Sequence, residues 1–257
     1  MAILKEIINY IEEFAPLSLQ GSFDNCGLKV GNPNQEITGI LVTLDTNYLV
    51  VEEALKHNCN LIIEHHPSIW GSISNIDYTL PINKGIVLAI KNDVAIYSAH
   101  TNVDFCDGGL NDYVARKIGL NDVKYIEVNS DPRVGYLSNE TTLGEYANAL
   151  KAIFNDNNVR IIGDLNKKIK KVAIVNGGGG GHADDVIKAI RSDTDVFVTG
   201  DVKYSVARLA KDADYAIIEV GHYNSEQSFM DLIDNLLKEK FENLKIIKAK
   251  SLLNPFN

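Results

Sequence analysis

The chain has 257 residues, a formal net charge of −9 and 45% hydrophobic residues. This length suits one large domain or two small ones, and the apolar fraction is sufficient for an ordinary globular core. The net negative charge disfavours non-specific nucleic-acid binding, because an acidic surface repels phosphate backbones. We therefore do not expect a nucleic-acid partner.

The cysteines and the N-terminal segment indicate the cellular compartment of the protein. Cys26, Cys59 and Cys106 form no C-x-x-C pair, and their odd number argues against a disulfide framework or a structural zinc knuckle. The first residues include Lys5 and Glu6 among apolar neighbours, so they lack the uninterrupted apolar core of a secretion signal. Since no stretch reaches the length of a membrane span, we expect a cytoplasmic protein without a membrane partner.

Apolar residues at helical spacing predict an amphipathic helix in the first segment, which Pro16 ends. Short β-branched runs then alternate with longer segments of helical period. The runs predict strands over 37–45, 60–66, 94–100, 171–177, 195–201 and 215–222. This alternation is typical of βαβ units, so we predict an α/β fold with mainly parallel sheets.

A polar, turn-prone stretch at 128–133 is the candidate domain junction. We predict a first α/β domain over 1–130, completed by the C-terminal segment 223–257, and a second α/β domain over 131–222.

Several predicted strands end in residues that can bind a metal or a polar ligand: Asp45, His65 and His66, His100 with Asp104, Asp201, and His222. In open α/β sheets the ligand crevice lies at the carboxyl ends of the strands. These positions are therefore where we expect the chemistry of the protein.

The pair His65-His66, directly before Pro67, is the strongest local signal. Neighbouring side chains in an extended chain point apart, so the two imidazoles can each serve a different member of a metal pair. Two surface histidines at a strand end are the alternative interpretation.

Carboxylates at two further strand ends complete the candidate set. Asp104 offers a hard anionic ligand, although it can instead cap the following turn. His222 and Glu226 are four residues apart and share one face if the chain is helical there. A glutamate at that place can bridge two ions, or can simply favour the helix N-terminus through its charge.

Together, three imidazoles and two carboxylates predict a site for two divalent metal ions, of zinc, iron, manganese or nickel. The proposed ligands are His65, His66, Asp104, His222 and Glu226. Such a pair of ions is suited to metal-assisted hydrolysis. In that reaction an unligated His100 or His182 would carry protons.

The glycine run Gly177 to Gly181 allows two interpretations. Free backbone amides before a helix attract phosphate, but no Lys-Ser/Thr follows as in a P-loop. A turn that lets the backbone approach the metal cavity closely is the alternative. His182 and Asp184 either reach the site or cap the following helix, and we favour capping.

The order of motifs resembles the family of type 2 GTP cyclohydrolase I homologues, also called the Ngg-interacting-factor-like family. The resemblance rests on His-His-Pro, S-A-H-T-N-x-D, the glycine run, T-G-D and G-H-x-x-S-E, and on the D-N-x-G-L signature at Asp24 to Leu28. It covers nearly the whole chain, which looks like the short form without the domain inserted in larger members. One departure is Ser205, where relatives have a histidine, so a proton-transfer or substrate role at that position is in doubt.

This resemblance implies a dinuclear metal site between two similar, intertwined α/β domains, with the residue at Glu226 bridging the ions. It also implies a homohexamer. We predict a hydrolase acting on a nucleotide or a related phosphorylated small molecule, with GTP ring opening suggested by the family name alone. The alternative is a non-catalytic metal-binding scaffold or metal-trafficking oligomer.

Overall fold

The computed structural model describes residues 2–127, 132–252 and 254–256, and it divides into two compact units. Unit 1 comprises Met1–Cys106 and Phe229–Asn257, and unit 2 comprises Asp107–Ser228. Each unit is an α/β assembly with its own sheet and apolar core. The predicted α/β class is therefore confirmed.

Unit 1 is built on a five-stranded sheet. The strands of the whole unit, in the sheet and outside it, are β1 (Ala2–Ile3), β2 (Gly27–Val30), β3 (Glu36–Ile37), β4 (Ile40–Thr43), β5 (Leu61–Glu64), β6 (Ala95–Ser98) and β13 (Ile246–Lys248). Its helices are α1 (Leu4–Phe14), α2 (Tyr48–Lys56), α3 (Pro81–Lys91), α4 (Thr101–Phe105) and α10 (Ser228–Lys240). The strand order is β13-β4-β5-β6-β2, with β1 and β3 forming a separate pair.

All neighbours in the five-stranded sheet run parallel except β2, which pairs antiparallel with β6 at the edge. Strands β4, β5 and β6 are completely buried, which explains their continuous apolar runs. The C-terminal segment belongs to this unit because β13 pairs parallel with β4.

Unit 2 is built on a six-stranded sheet. Its strands are β7 (Leu120–Tyr125), β8 (Arg133–Thr142), β9 (Arg160–Ile162), β10 (Lys168–Val175), β11 (Val196–Thr199) and β12 (Ala216–Glu219). Its helices are α5 (Leu110–Lys117), α6 (Leu143–Phe154), α7 (Ala183–Arg191), α8 (Tyr204–Asp212) and α9 (His222–Glu226). Only β10, β11 and β12 pair in parallel, and antiparallel strands flank them in the order β7-β8-β10-β11-β12-β9.

The bounds of the units differ from the predicted domains. Strand β7 pairs with β8, with Leu120 opposite Leu137 and Tyr125 opposite Arg133, so the chain before the predicted junction already belongs to unit 2. Residues 128–131 of that junction lie outside the described residues. The polar stretch therefore connects two paired strands, and unit 2 begins at Asp107 instead of 131 and ends at Ser228 instead of 222.

The N-terminus of helix α6 is stabilised by side-chain hydrogen bonds. Helix α6 begins with a capping box in which the Thr142 side chain accepts from the Glu145 amide, and the Glu145 side chain accepts from the Thr142 amide.

Among the helices that the structure describes, none combines the length and apolar character needed to cross a membrane.

Candidate metal centre

Three histidines lie close together at the carboxyl ends of two parallel strands of unit 1. His65 and His66 directly follow β5, and His100 lies two residues beyond β6. The candidate ligand atoms of these three side chains all lie within 4.8 Å of one another. Because β5 and β6 are parallel neighbours, their carboxyl ends meet at one edge of the sheet, as the sequence predicted.

Asp104 joins this cluster through the short helix α4, which begins directly after His100. Its Oδ1 atom lies 3.8 Å from Nε2 of His65. Of the predicted residues, unit 1 thus brings together two proposed imidazole ligands, one proposed carboxylate ligand and the predicted proton carrier His100.

The two neighbouring imidazoles are each held by an oxygen acceptor. His65 is completely buried, and its Nδ1 atom donates to the carbonyl oxygen of Ala99 at 2.9 Å. Nδ1 of His66 donates to Oδ1 of Asp45 at 3.0 Å, in a more exposed setting. A carbonyl or carboxylate oxygen accepts, so each Nδ1 carries a proton, and in the neutral tautomer Nε2 is the nitrogen with the lone pair.

His100 is held in the same way by a carboxylate from the D-N-x-G-L signature. Its Nδ1 atom donates to Oδ2 of Asp24 at 2.9 Å, and the side chain of Asp24 is buried. The same oxygen accepts from the amide of Thr101 at 3.1 Å and from its hydroxyl. Burial alone would raise the pKa of Asp24, but the hydrogen bonds from His100 and Thr101 outweigh it and hold that pKa well below its ordinary range.

Unit 2 presents one imidazole between two carboxylates. Nδ1 of His222 donates to Oδ2 of Asp201 at 2.7 Å, and its Nε2 lies 3.0 Å from Oε2 of Glu226. His222 and Glu226 are the first and last residues of α9, which confirms the one-face arrangement predicted from their spacing. Burial lowers the pKa of His222, but the hydrogen bonds to Asp201 and Glu226 more than compensate and raise it to about 10.

Three imidazoles of unit 1 and one of unit 2 therefore share one arrangement, in which Nδ1 is held by an oxygen acceptor. Metal-bound histidines in proteins have this arrangement, because the second nitrogen's hydrogen bond sets the tautomer and the ring orientation. In unit 1 the imidazoles lie with the Asp104 carboxylate, and in unit 2 His222 lies with the Glu226 carboxylate, so each group offers donors that suit first-row divalent ions.

The glycine run of unit 2 lies against His222 and Glu226. Gly177 has φ +55°, and a Cβ atom there would overlap the carboxylate of Glu226. The amide of Gly177 donates to the hydroxyl of Ser225 at 3.0 Å, and that of Gly180 donates to the Thr199 hydroxyl at 2.8 Å. Close approach of the backbone to Glu226 accounts for Gly177, whereas amides that already donate within the protein argue against a phosphate cradle.

His182 occupies the N-cap position of α7, but within the described part of the chain its side chain makes no hydrogen bond to that helix. The capping role that we favoured for His182 is therefore not seen. Its side chain is exposed, and no described contact brings it to the histidine cluster.

The carboxylates that hold Nδ1 are functional candidates that the sequence pattern did not identify in this role. Asp45 and Asp201 were noticed only as polar residues at strand ends. Asp24 was noticed only as part of a signature, and 76 residues separate it from its partner His100. The sequence signal for such an orienting carboxylate is an aspartate next to a strand end in a chain that also has a candidate histidine site, as at Asp45 and Asp201.

Comparison with known proteins identifies the family. The sequence profile of Duf34/NIF3 (NGG1p interacting factor 3) matches residues 2–255. The chain belongs to this family.

Its relatives match from end to end. A Clostridium perfringens protein named GTP cyclohydrolase 1 type 2 homolog is 37% identical over 262 residues, covering 98% of both chains. A Lactococcus lactis protein of the same name is 34% identical over 249 residues, covering 95% of both. The NIF3 fold is supported by a crystal structure of a Bacillus cereus protein related to NIF3, at 24% identity and a TM-score of 0.93 over 100% of this chain and 99% of that one.

Proposed function

We propose that this NIF3-family protein holds two divalent metal ions with His65, His66, Asp104, His222 and Glu226 and hydrolyses a nucleotide or a related phosphorylated small molecule. The family resemblance implies that Glu226 would be the ligand shared by the two ions. Two metal ions supply charge that activates water and polarises the substrate at neutral pH.

One observation carries the proposal: every imidazole of the two groups has its Nδ1 atom fixed by an oxygen acceptor. Acceptors of this kind come from a backbone carbonyl for His65, and from Asp45 and Asp201 for His66 and His222. Such an acceptor sets the tautomer and orientation that a metal-bound histidine requires, and in His100 it sets those of a proton carrier.

In this proposal His100 moves a proton rather than holding an ion. Asp24 fixes Nδ1 of His100 as a donor, so Nε2 is the atom that accepts a proton. The buried Asp24 carboxylate then stabilises the imidazolium that forms, without taking up the proton itself. The residues His65 and His66 lie beside His100, which places this proton acceptor next to the proposed ligands.

The names of the relatives suggest the substrate class, since they are called homologues of a GTP cyclohydrolase. Ring opening of GTP is accordingly the first reaction to test. The homohexamer implied by the family resemblance remains a prediction, to be tested by the mass of the protein in solution.

The test of function is turnover by metal-loaded protein. Protein reconstituted with zinc, manganese, iron or nickel is incubated with nucleoside triphosphates including GTP, phosphomonoesters and cyclic amides. We expect hydrolysis that is lost with chelator and in Asp104→Ala, and that falls by about a hundredfold or more in His100→Gln. His182→Gln, at an exposed histidine, serves as the matched control and should retain the native rate.

If fully metal-loaded protein turns over none of these compounds, the hydrolase proposal is wrong. Rapidly exchanging metal in such protein would then support the scaffold or metal-trafficking alternative.

A further inference from the structure

A cavity of about 350 Å³ lies beside the histidine cluster of unit 1. His66 and Asp45 form part of its wall, so it opens next to the proposed metal ligands. Trp70 and Ile82 contribute apolar surface, and Asn47 contributes an amide. A concave site with an apolar wall and a few polar groups is the usual form of a small-molecule pocket.

Trp70 lines this cavity and has a solvent exposure that is high for a tryptophan. It is 54% exposed, and Ile82 beside the same cavity is 72% exposed. The indole meets the His100 ring edge-on, with 5.4 Å between centroids and 87° between planes. In a perpendicular contact the His100 ring covers at most one face of the indole, which leaves an aromatic face available for a ligand.

The loop that carries Trp70 is held in place from both sides. The amide of Ser68 donates to Oε1 of the buried Glu64 at 2.7 Å, and the carbonyl of Ile69 accepts from Nδ2 of Asn25 at 2.7 Å. Asn25 belongs to the D-N-x-G-L signature, whose Asp24 holds His100. The signature thus orients the proton acceptor and anchors the backbone next to the indole.

The polar end of the cavity offers both an acceptor and a donor. Asp45 uses Oδ1 for His66, and its side chain is 51% exposed, which leaves Oδ2 as an acceptor. Asn47 uses Oδ1 to cap α2 through the amide of Val50, which leaves its Nδ2 hydrogens as donors. A heterocycle with an N–H and a C=O on one edge matches this combination.

We propose that this cavity is a subsite for the planar heteroaromatic ring of the substrate, stacked on Trp70 with its polar edge towards Asp45 and Asn47. The inference rests on the proposed function, because it assigns the ring to the molecule that is hydrolysed beside His66. It adds a substrate class, ring-bearing nucleotides, and a residue that selects for them. Stacking on an aromatic side chain tolerates different bases, so several nucleotides should bind.

The sequence contains one tryptophan, so the fluorescence of the native protein reports on Trp70 alone. Chelator-treated native protein is titrated with GMP, AMP, UMP and CMP, and separately with ribose 5-phosphate, which lacks the ring. Free N-acetyltryptophanamide corrects for absorption by the nucleotides. We expect saturable quenching by at least one nucleotide and none by ribose 5-phosphate.

Calorimetry extends the test to variants. Trp70→Ala should weaken binding of the quenching nucleotide by about tenfold or more, whereas Trp70→Phe, which keeps a stacking face, should lose only severalfold. Tyr204→Ala removes an aromatic ring of unit 2 that is 84% exposed, and this variant should bind as the native protein does. Far-ultraviolet circular dichroism checks that each variant is folded.

The inference is overturned if no nucleotide quenches Trp70, if ribose 5-phosphate binds as tightly as every nucleotide, or if Trp70→Ala binds with native affinity. Its failure is distinguishable from that of the proposed function. Ring binding by protein that hydrolyses nothing leaves the subsite and removes the hydrolase, while hydrolysis of ring-free phosphoesters without quenching does the reverse.

Discussion

The two groups of site residues follow one structural rule at Nδ1 but differ in what lies near Nε2. In unit 1, three imidazoles lie together, and the carboxylates Asp24 and Asp45 act on their Nδ1 atoms from outside the cluster. In unit 2, a single imidazole lies between Asp201 and Glu226 and is a cation in the metal-free chain at neutral pH. The comparison teaches that an oxygen acceptor holds Nδ1 in both groups, whereas the carboxylate near Nε2 lies at hydrogen-bond distance for His222, at 3.0 Å from Glu226, and farther for His65, at 3.8 Å from Asp104.

The largest effect is expected at the backbone wall of the unit 2 group. Gly177→Ala places a methyl group on the Glu226 carboxylate at a residue with φ +55°, and we expect it to lower the free energy of unfolding by about 3 kcal/mol or more. Gly178→Ala is the matched control, since its nearest neighbour would be the His222 ring at 3.8 Å, an ordinary contact. Its cost should stay below about 1 kcal/mol. Urea denaturation measures both, and equal effects would show that the glycine run does not need this close approach.

A second, intermediate effect separates the roles of two imidazoles within unit 1. Asp45→Asn weakens the acceptor that holds His66, a proposed ligand, and should lower zinc affinity by about tenfold or more. Asp24→Asn weakens the acceptor that holds His100, the proposed proton carrier, and should leave zinc affinity within about twofold. Competition with a chromogenic chelator gives both affinities.

Nitrogen-15 spectra of the imidazoles accompany that measurement. They should show His100 with its proton on Nδ1 in the native chain and on a mixture of both nitrogens in Asp24→Asn. A loss of zinc affinity in Asp24→Asn as large as in Asp45→Asn would place His100 among the metal ligands and contradict its assignment as a proton carrier.

The last expected effect is a pH dependence of the metal-free chain. The pKa of His222 is raised to about 10 in the folded protein, above its ordinary value of 6.5. A raised pKa stabilises the folded state fully below the unfolded value, and this stabilisation is lost as pH rises from about 6.5 through 10. Chelator-treated native protein should therefore lose stability across this range relative to His222→Gln. Parallel curves for the two chains would contradict the ion-paired state of His222.

Much of the fold was predictable because the buried parallel strands are continuous apolar runs. The strands at 40–43, 61–64, 95–98, 196–199 and 216–219 all fall within predicted runs, and site residues follow several of them. Short edge strands such as β9 and β13 were not predicted, since three residues at a sheet edge carry little hydrophobic pattern. The sequence placed the boundary between the units later than the structure does, because β7 and β8 pair across a stretch that looks like a linker.

The site was predictable in its residue types and strand ends but not in its supporting contacts. The bond between Asp24 and His100 joins residues 76 positions apart, and no local spacing indicates it. The glycine run was ambiguous for a related reason: the group that requires Gly177 is Glu226, which is remote in sequence. Sequence patterns report local geometry, whereas the orientation of these imidazoles depends on contacts between separate loops.

Metal content is the most direct test of the central claim that five residues hold two ions. Protein purified without an affinity tag is analysed by plasma mass spectrometry as the native chain, as Glu226→Ala and as His182→Ala. The account predicts about two ions per chain in the native protein and in His182→Ala, and a marked loss in Glu226→Ala. A native chain that binds no zinc, manganese, iron or nickel after incubation, or a Glu226→Ala chain that keeps both ions, would contradict it.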